Sequence, residues 1–574
     1  MKFDDVLKSI GEFGPYQIKV CLLVGSYGIF VGMNLLAQVF TGASSDHWCN
    51  VKEWKAEYDA CSDLNGDEYL SCLHQYRDAS IPKVGPGDAE SLYSQCSKYD
   101  ANYATWADGY FAGNETDEVI RCDDGWAFDQ SVYKSTIRSE FNLVCDKKSS
   151  GEFAQSAFFF GVLLGSISLG VLADVIGRFY AYYIGVLMSF LSSLATAFMP
   201  NYWSYTFMRT LVGFSSIGTF LLAFVIVMEV VGPSKRVLAG IIAQSLFGIG
   251  FIILSLLAYL IREWRTLQIA IAVPTILCLF TMPFVNESPR WLISRKQYDK
   301  TEAIIHKAAK QNGKEANLPD NFMSELIKTE ELVKSRRERT PTVVDLFRTP
   351  NLRKSILNLM YNWFINSLVY YGLALNTASL GSNDYMIFFI SVSTELLVYL
   401  LAIPIMESPL GRKYSVGGAE LIGGTACLLT IILPKGIWRT TAAMIGKFAI
   451  TVSFVIVYFY TVELLPTPVR SSGFGLCSTA SRVAGIMSPL ILILEDFWKP
   501  LPLLIFGSTC IIGGLLVMFL PDTRGRRLPE TLAEGEEFRM TDGKSRDSGN
   551  INEEKNSTGN GESNTAFEKV NTIA

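Results

Sequence analysis

The stretch Gly170-Val171-Leu172-Ala173-Asp174-Val175-Ile176-Gly177-Arg178 joins two long apolar runs near the start of the chain. Its glycines permit a tight turn between two helices. Asp174 and Arg178 carry opposite charges on that turn, so they can form contacts that hold one helical bundle against another in one state. A shorter version, Pro409-Leu410-Gly411-Arg412-Lys413, occupies the equivalent place in the second half. The repetition predicts two halves built from the same helical unit.

Twelve apolar runs of the chain are long enough to cross a membrane. About 20 apolar residues in a helix span roughly 30 Å of hydrocarbon, and a helix satisfies every backbone polar group internally. The first six runs are 18–40, 153–173, 180–199, 205–231, 237–261 and 267–285. The second six are 355–377, 385–406, 415–433, 440–465, 473–494 and 500–520. The chain is therefore predicted to be an all-α membrane protein with 12 transmembrane helices in two six-helix bundles.

Composition and motifs argue against several other classes of protein. The chain of 574 residues is 49% hydrophobic and has a formal net charge of -5, so no basic surface is expected for nucleic acid. The three histidines, His47, His74 and His306, lie outside the apolar runs and not at metal-ligand spacings with cysteines. The sequence has neither a phosphate-binding loop of an ATP-driven pump nor a nucleophile elbow. We expect no enzyme activity, no cofactor, no metal site and no nucleic-acid partner.

The segment 41–151, between the first two apolar runs, is polar and rich in cysteine. It contains Cys49, Cys61, Cys72, Cys96, Cys122 and Cys145. An even number of cysteines in a polar segment predicts a disulfide framework, here with fifteen possible pairings, and disulfides persist on the oxidising side of a membrane. Asn114 begins a glycosylation sequon, which also indicates an extracellular loop. We expect the remaining cysteines to stay thiols in apolar surroundings: Cys21, Cys278, Cys427, Cys477 and Cys510.

The position of this loop sets the expected topology of the other segments. Alternation of the spans puts residues 1–17, the central segment 286–354 and the tail 521–574 in the cytoplasm. The central segment is strongly basic, in agreement with the preference of cytoplasmic loops for Lys and Arg. The tail is polar with almost no aromatic residues, so we expect it to be largely disordered. The two bundles then comprise residues 18–285, including the loop, and 355–520.

Several motifs, in order along the chain, resemble those of one family. Residues 170–178 resemble the signature loop of the major facilitator superfamily. Glu287-Ser288-Pro289-Arg290-Trp291-Leu292 resembles a segment shared by sugar porters and by solute carrier family 22. The large cysteine-bearing loop favours family 22, as do NWF at 362–364, VYYGL at 369–373, GKF at 446–448 and ELLPT at 463–467. The chain is similar to the organic cation, carnitine and zwitterion branch of that family over residues 10–532.

The resemblance implies a secondary transporter with the major facilitator fold, located in the plasma membrane. Such a carrier would move small organic zwitterions or cations, of the carnitine, betaine or ergothioneine kind, by alternating access between its two bundles. It would function as a monomer in the lipid bilayer. The sequence does not decide whether its coupling ion is Na⁺ or H⁺. Two alternatives are kept: an organic anion exchanger of the same family, and a non-transporting, receptor-like protein whose loop binds a partner.

Two opposite charges within the apolar runs bear on the substrate. Arg482 stands where cation-selective members of the family carry an aspartate, and Glu395 matches a glutamate typical of cation and carnitine members. An ionisable residue in mid-membrane costs about 2.5–3.5 kcal/mol, so it usually faces a partner or a watery cavity. We predict that Arg482 binds a substrate carboxylate and Glu395 a cationic group, which together suit a zwitterion. Each can instead form a structural ion pair, Glu395 with Lys447 or with Arg482.

Further site residues follow from the chemistry of such a substrate. Aromatic faces attract cations, which makes Tyr361, Phe159 and Tyr458 candidates, although most aromatic residues in a bundle only pack. Asn34 and Gln244 can hydrogen-bond a polar solute or join helices to one another. The other charges in and near the spans are assigned to gating: Asp174, Arg178, Glu229, Arg412, Lys447 and Glu463.

Overall fold

Twelve helical segments, labelled α1 to α12, make up most of the protein. The computed structural model describes residues 3–54, 61, 67–83, 93–100, 103, 118–319, 321–335, 342–376, 384–434, 436–524, 526, 528–529 and 531–538. The first six segments are α1 (Pro15–Thr41), α2 (Ser150–Ile176), α3 (Arg178–Thr196), α4 (Tyr202–Val230), α5 (Arg236–Leu260) and α6 (Trp264–Phe284). The second six are α7 (Pro350–Leu375), α8 (Asp384–Glu407), α9 (Gly411–Ile432), α10 (Ile437–Leu464), α11 (Arg470–Leu492) and α12 (Leu501–Val517).

The number and order of the predicted spans are confirmed. Within the part of the chain that the structure describes, ten segments are long and apolar enough on their own to cross a membrane. The other two are α12, which is apolar but only 17 residues long, and α7, in which Asn358, Asn362 and Asn366 interrupt an apolar sequence. Both pack inside the second bundle, where Ile365 of α7 and Phe506 of α12 share one buried cluster.

Two of the twelve segments depart from a regular α-helix. α6 is α-helical over Trp264–Ala272 and continues as a 3₁₀ helix over Val273–Phe284. Pro274 and Pro283 lie in the second part, and because proline has no N–H it cannot complete the α-helical ladder. α1 is built from three consecutive pieces, Pro15–Gly25, Tyr27–Leu36 and Gln38–Thr41.

Glycines bring α1 and α5 into direct backbone contact. A side chain at Gly32 would clash with the carbonyl oxygen of Phe247, and a side chain at Gly250 would clash with the carbonyl oxygen of Ile29. In a membrane, lipid is as apolar as leucine, so close packing of this kind supplies the attraction between helices. The two glycines therefore fix how α1 and α5 meet in the first bundle.

The loop between α1 and α2 adds short strands to the all-α frame. These strands are β1 (His47–Cys49), β2 (Ser97–Tyr99), β3 (Val119–Arg121) and β4 (Trp126–Phe128), in antiparallel pairs β1 with β4 and β2 with β3. Three disulfides join Cys49 to Cys122, Cys61 to Cys72 and Cys96 to Cys145. All six loop cysteines are thus paired, and the other five are buried thiols. Asn114 lies outside the described residues.

We call the end of the bundles that carries this loop the loop end, and the other the termini end. At the termini end, Asp4 of the helix Phe3–Ser9 forms ion pairs with Arg236 of α5 and Arg290 of the central segment. The central segment, predicted only as a loop, contains the helices Pro289–Ser294, Tyr298–Gln311 and Phe322–Ser335. The first bundle, the central segment and the N-terminal helix therefore contact one another at this end.

The beginning of the tail is folded, which corrects part of the expectation of disorder for 521–574. The helix Leu532–Glu537 is capped by Thr531, whose side chain accepts a hydrogen bond from the N–H of Glu534. The carboxylate of Glu536 accepts hydrogen bonds from the backbone N–H groups of Asn351 and Leu352, at 2.8 and 2.9 Å. These N–H groups have no partner within α7, so the tail helix satisfies them. Residues 539–574 lie outside the described residues.

Candidate functional site

Arg482 places an uncompensated guanidinium inside the second bundle. It lies in α11, is half-buried, and donates one hydrogen bond from Nη1 to the backbone oxygen of Ser478 at 3.1 Å. Its Nε is buried and has no hydrogen-bond partner, and no carboxylate among the described residues pairs with it. Tyr371 lies within electrostatic reach of the guanidinium, and the hydroxyl of Tyr458 interacts with it as a neutral hydrogen-bonding neighbour. The group is therefore free to bind an anionic partner from outside the chain.

Aromatic rings from both bundles surround this position. Phe159 of α2 lies 4.6 Å from Tyr371 of α7, centroid to centroid, and a side chain at Gly485 of α11 would contact the Phe159 ring at 2.9 Å. Tyr458 of α10 packs against Trp363 with a centroid distance of 4.2 Å and the two ring planes tilted by 41°. Phe159 and Tyr458 are therefore brought near Arg482, as a site between the bundles requires.

Glu395 is fully buried and forms an ion pair with Lys447. Lys447 Nζ lies 3.2 Å from Glu395 Oε1, and it also donates to Ser391 Oγ at 2.7 Å. The hydroxyl of Tyr370 donates to both carboxylate oxygens of Glu395 at 2.9 Å. The structure thus shows the ion pair with Lys447 that the sequence left open. Tyr371 lies within electrostatic reach of both Glu395 and Arg482, so the two predicted charges share one neighbourhood.

Three of the predicted substrate contacts lie in other surroundings. Tyr361 of α7 is within electrostatic reach of Glu420 in α9. Asn34 of α1 donates to the backbone oxygen of Phe30 and accepts a hydrogen bond from Ser193 of α3, so it joins helices within the first bundle. Gln244 of α5 is half-buried, and its side chain makes no hydrogen bond to any residue that the structure describes. Their roles toward a substrate stay predictions.

The predicted gating charges of the first half meet at the termini end. Arg178, at the start of α3, pairs with Asp174 at 2.9 Å and with Glu229 near the end of α4 at 3.7 Å. Glu287, just after α6, accepts hydrogen bonds from the backbone N–H groups of Arg178 and Phe179. Burial raises the pKa of Glu287, although these hydrogen bonds favour its charged form.

The second half repeats this arrangement. Arg412, at the start of α9, pairs with Glu463 near the end of α10 at 3.0 Å, and Glu463 also accepts a hydrogen bond from Thr523 at 2.7 Å. Arg178 and Glu229 are separated by the same number of residues as Arg412 and Glu463. Each pair lies within its own bundle, so neither joins the two bundles in this conformation.

The two bundles also contact each other at the loop end. Phe40 of α1 packs against Tyr385 and Phe388 of α8, with ring centroids 5.5 and 4.8 Å apart. Lys148, just before α2, pairs with Asp496, just after α11, at 2.7 Å. These contacts close the space between the bundles on the side of the disulfide loop.

A possible metal-ligand group in the loop is accounted for by a disulfide. His47, Cys96 and Cys145 bring a ring nitrogen and two sulfurs within 4.8 Å of one another. Cys96 and Cys145 are bonded to each other, so neither offers the thiolate that a metal site of this kind needs. These residues therefore do not fit a metal.

The sequence patterns above do not single out two fully buried charges, Arg209 and Glu420. Arg209 of α4 donates to the side chain of Gln155 and to the backbone oxygen of Asn34, and its guanidinium lies 4.7 Å from the centroid of the Phe158 ring. Both charges lie inside predicted apolar runs, where any ionisable residue is costly. Their location within predicted apolar runs was the only feature of the sequence that could have identified Arg209 and Glu420 as candidates.

Comparisons with known proteins agree with this geometry. A family model described as sugar (and other) transporter matches residues 125–533. Solute carrier family 22 member 3 of Rattus norvegicus is 36% identical over 93% of this chain and 96% of its own length. The organic cation/carnitine transporter 2 of Homo sapiens is 34% identical over 92% of this chain and 93% of its own length. The inward-open xylose transporter XylE from E. coli has a TM-score of 0.57 at 14% identity, covering 91% of this chain and 99% of XylE.

The fold and the site define a membrane transporter of the major facilitator type, in which two six-helix bundles enclose a polar and aromatic centre. It is not an enzyme. The chain belongs to solute carrier family 22, among the organic cation and carnitine transporters.

Proposed function

We propose that this protein carries small organic zwitterions or cations of the carnitine, betaine and ergothioneine type, and that Arg482 binds the carboxylate of a zwitterion. The observation that carries the proposal is the guanidinium of Arg482, which has no acidic partner among the described residues and lies among aromatic rings. A planar guanidinium can hold a carboxylate by two parallel hydrogen bonds. Carnitine, the substrate in the name of the human relative, is itself a zwitterion.

The cationic group of the substrate would lie against the aromatic faces of Phe159, Tyr371 and Tyr458. A desolvated cation on such a face gains about 0.5–2 kcal/mol. Glu395 adds a negative charge within reach of Tyr371, but in this conformation Lys447 neutralises it. We infer that Glu395 attracts the substrate cation as Lys447 moves away from it. An organic anion exchanger is not favoured, because an anion gains nothing from Glu395.

Transport would proceed by alternating access in the plasma membrane. We propose that the loop end faces the outside, where its three disulfides persist, and that both termini are cytoplasmic. The contacts of Phe40 with α8 would then close the outer side, so the site would open to the cytoplasm in this conformation. We propose a functional monomer whose driving ion is Na⁺ or H⁺.

The experiment measures uptake into proteoliposomes of a carnitine-like zwitterion, a tetraalkylammonium cation and a monocarboxylate anion. The variants are Arg482→Lys and Arg482→Asp. Loss of a buried charge contact costs about 2–5 kcal/mol, so we expect zwitterion affinity to fall by one to several decades in Arg482→Asp. Arg482→Lys keeps the charge but loses the planar guanidinium, so it should bind the zwitterion more weakly than the wild type does. Cation uptake should persist in Arg482→Asp, because an aspartate does not repel a cation.

The matched control is Arg353→Asp, which makes the same change at an exposed position at the start of α7. An exposed charge contributes under about 1 kcal/mol, so the control should keep near-normal zwitterion affinity. The proposal fails if Arg482→Asp inserts normally and still takes up the zwitterion as the wild type does. Absence of saturable uptake of any of the three probes by the wild type would favour the receptor alternative.

A further inference from the structure

Glu420 is a fully buried carboxylate without a basic partner. It lies in the middle of α9, and no Lys or Arg in the described part of the chain pairs with it. Its Oε1 accepts hydrogen bonds from Asn366 Nδ2 at 2.7 Å and from Ser453 Oγ at 3.0 Å. Its Oε2 is buried and has no hydrogen-bond partner. Two neutral donors leave the charge of this group uncompensated inside the membrane.

A second oxygen near this carboxylate, Asn362 Oδ1 of α7, is also buried and without a partner among the described residues. The other end of its amide fixes its orientation. Asn362 Nδ2 donates to the backbone oxygen of Asn358 at 2.8 Å and to Asn358 Oδ1 at 2.6 Å. A flipped amide would set an oxygen against these oxygens, so Asn362 Oδ1 must point the other way.

Gly513 of α12 lies beside these oxygens. A side-chain carbon at this position would lie 2.9 Å from Glu420 Oε2, 2.9 Å from Ile365 Cδ1 and 3.4 Å from Asn362 Oδ1. The two oxygens therefore face the same place on the inner side of α12. Asn366 donates to the other carboxylate oxygen, so its amide also lies against Glu420. Hydrogen-bond acceptors that lack donors therefore lie close together beside Gly513. Oxygen ligands of this kind bind hard cations.

We propose that Glu420 and Asn362 form a binding site for a neutralising monovalent cation, a proton or a sodium ion, inside the second bundle. A proton on Oε2 turns one acceptor into a donor, and a sodium ion uses the oxygens as ligands. In both cases the carboxylate loses its uncompensated charge. This inference is independent of the substrate that the carrier moves.

Among the described residues around Glu420, no side chain can neutralise its charge. The titratable groups within its reach are Tyr361 from α7 and Cys510 from α12, and both are neutral in their ordinary form. α10 contributes Ser453, whereas the charges of α10 and α8, Lys447 and Glu395, pair with each other. A bound cation is therefore the one source of positive charge that the described residues leave for this site.

The test measures the thermal unfolding midpoint of the purified full-length protein without any substrate. Wild type and Glu420→Gln are compared in sodium-free choline buffer from pH 5.5 to 8.5, and then with added sodium chloride. In alkaline, sodium-free buffer we expect Glu420→Gln to be the more stable of the two, because the amide carries no charge. The difference should shrink on acidification if the ion is a proton, and on addition of sodium at constant pH if it is sodium.

Gly513→Ala is the second variant, because it keeps the carboxylate but fills the space beside it. It should weaken the response of the midpoint to the ion that stabilises the wild type, by requiring a higher concentration for the same shift. Glu407→Gln, an exposed carboxylate at the end of α8, is the control and should respond as the wild type does. The proposal is wrong if the wild type responds to neither ion, or if Glu420→Gln keeps the response in full.

Discussion

The ammonium group of Lys447 lies 3.2 Å from a carboxylate oxygen of Glu395, and both side chains are buried in the second bundle. The pair joins α10 to α8, and Tyr370 of α7 adds a hydrogen bond from a third helix. Arg482 on α11 has no acidic partner among the described residues. The second bundle therefore holds one satisfied ion pair beside two charges, Arg482 and Glu420, that no described residue neutralises.

Removing one member of this buried pair should destabilise the protein. Glu395→Gln or Lys447→Met alone leaves an uncompensated charge and is expected to cost about 3–5 kcal/mol, whereas the double variant should recover much of this. Thermal unfolding of the four proteins checks the stability cycle. If Glu395 also attracts the substrate, the double variant regains stability but not zwitterion uptake. Full recovery of uptake would restrict the pair to a structural role.

The charge of Asp174 should matter for turnover more than for binding. Its carboxylate is 72% exposed and pairs with Arg178 within the first bundle. We expect Asp174→Asn to leave substrate affinity unchanged and to lower the maximal transport rate by about two- to five-fold, since an exposed ion pair is worth under about 1 kcal/mol. Rate and affinity are measured together in proteoliposomes, with Glu407→Gln as the control. An unchanged rate would remove Asp174 from the gating machinery.

The loop disulfides should differ in their contribution to stability. Cys49 and Cys122 are 73 residues apart, whereas Cys61 and Cys72 are 11 apart. A cross-link over a longer stretch restricts the unfolded chain more, so replacing the first pair with serines should cost about 4 kcal/mol and the second about 3. Delivery to the cell surface should fall further for the first pair. Alkylation without reduction checks the premise, because no loop cysteine of the wild type should react.

Arg209 should not tolerate lysine, although the charge is kept. Its guanidinium reaches the side chain of Gln155, the backbone of Asn34 and the face of Phe158 at once. An ammonium group is a point charge and cannot make the same set of contacts. We expect Arg209→Lys to cost about 1–3 kcal/mol, the cost of leaving a buried donor or acceptor unpaired. Unfolding is compared with Arg353→Lys, which should be nearly neutral.

The spans and their order could be predicted because the free energy of placing a segment in lipid depends on the side chains of that segment alone. The breaks in α1 and the strands of the loop were not, because they depend on contacts between segments distant in sequence. The same limit applies to the site. Glu395 could be recognised as a buried charge, but its choice of Lys447 over Arg482 is set by how α8, α10 and α11 face one another. The sequence around Glu420 does not show that a basic partner is missing, because that depends on which helices pack against α9.

The hydrogen bonds from Asn351 and Leu352 to Glu536 also bear on the order in which the protein is made. The first turn of α7 leaves the ribosome well before residue 536 is synthesised, so its N–H groups receive this acceptor only after about 185 further residues have been added. A polypeptide that stops before Thr531 never receives this cap. The segment that follows the last span thus completes the first turn of the helix with which the second bundle begins.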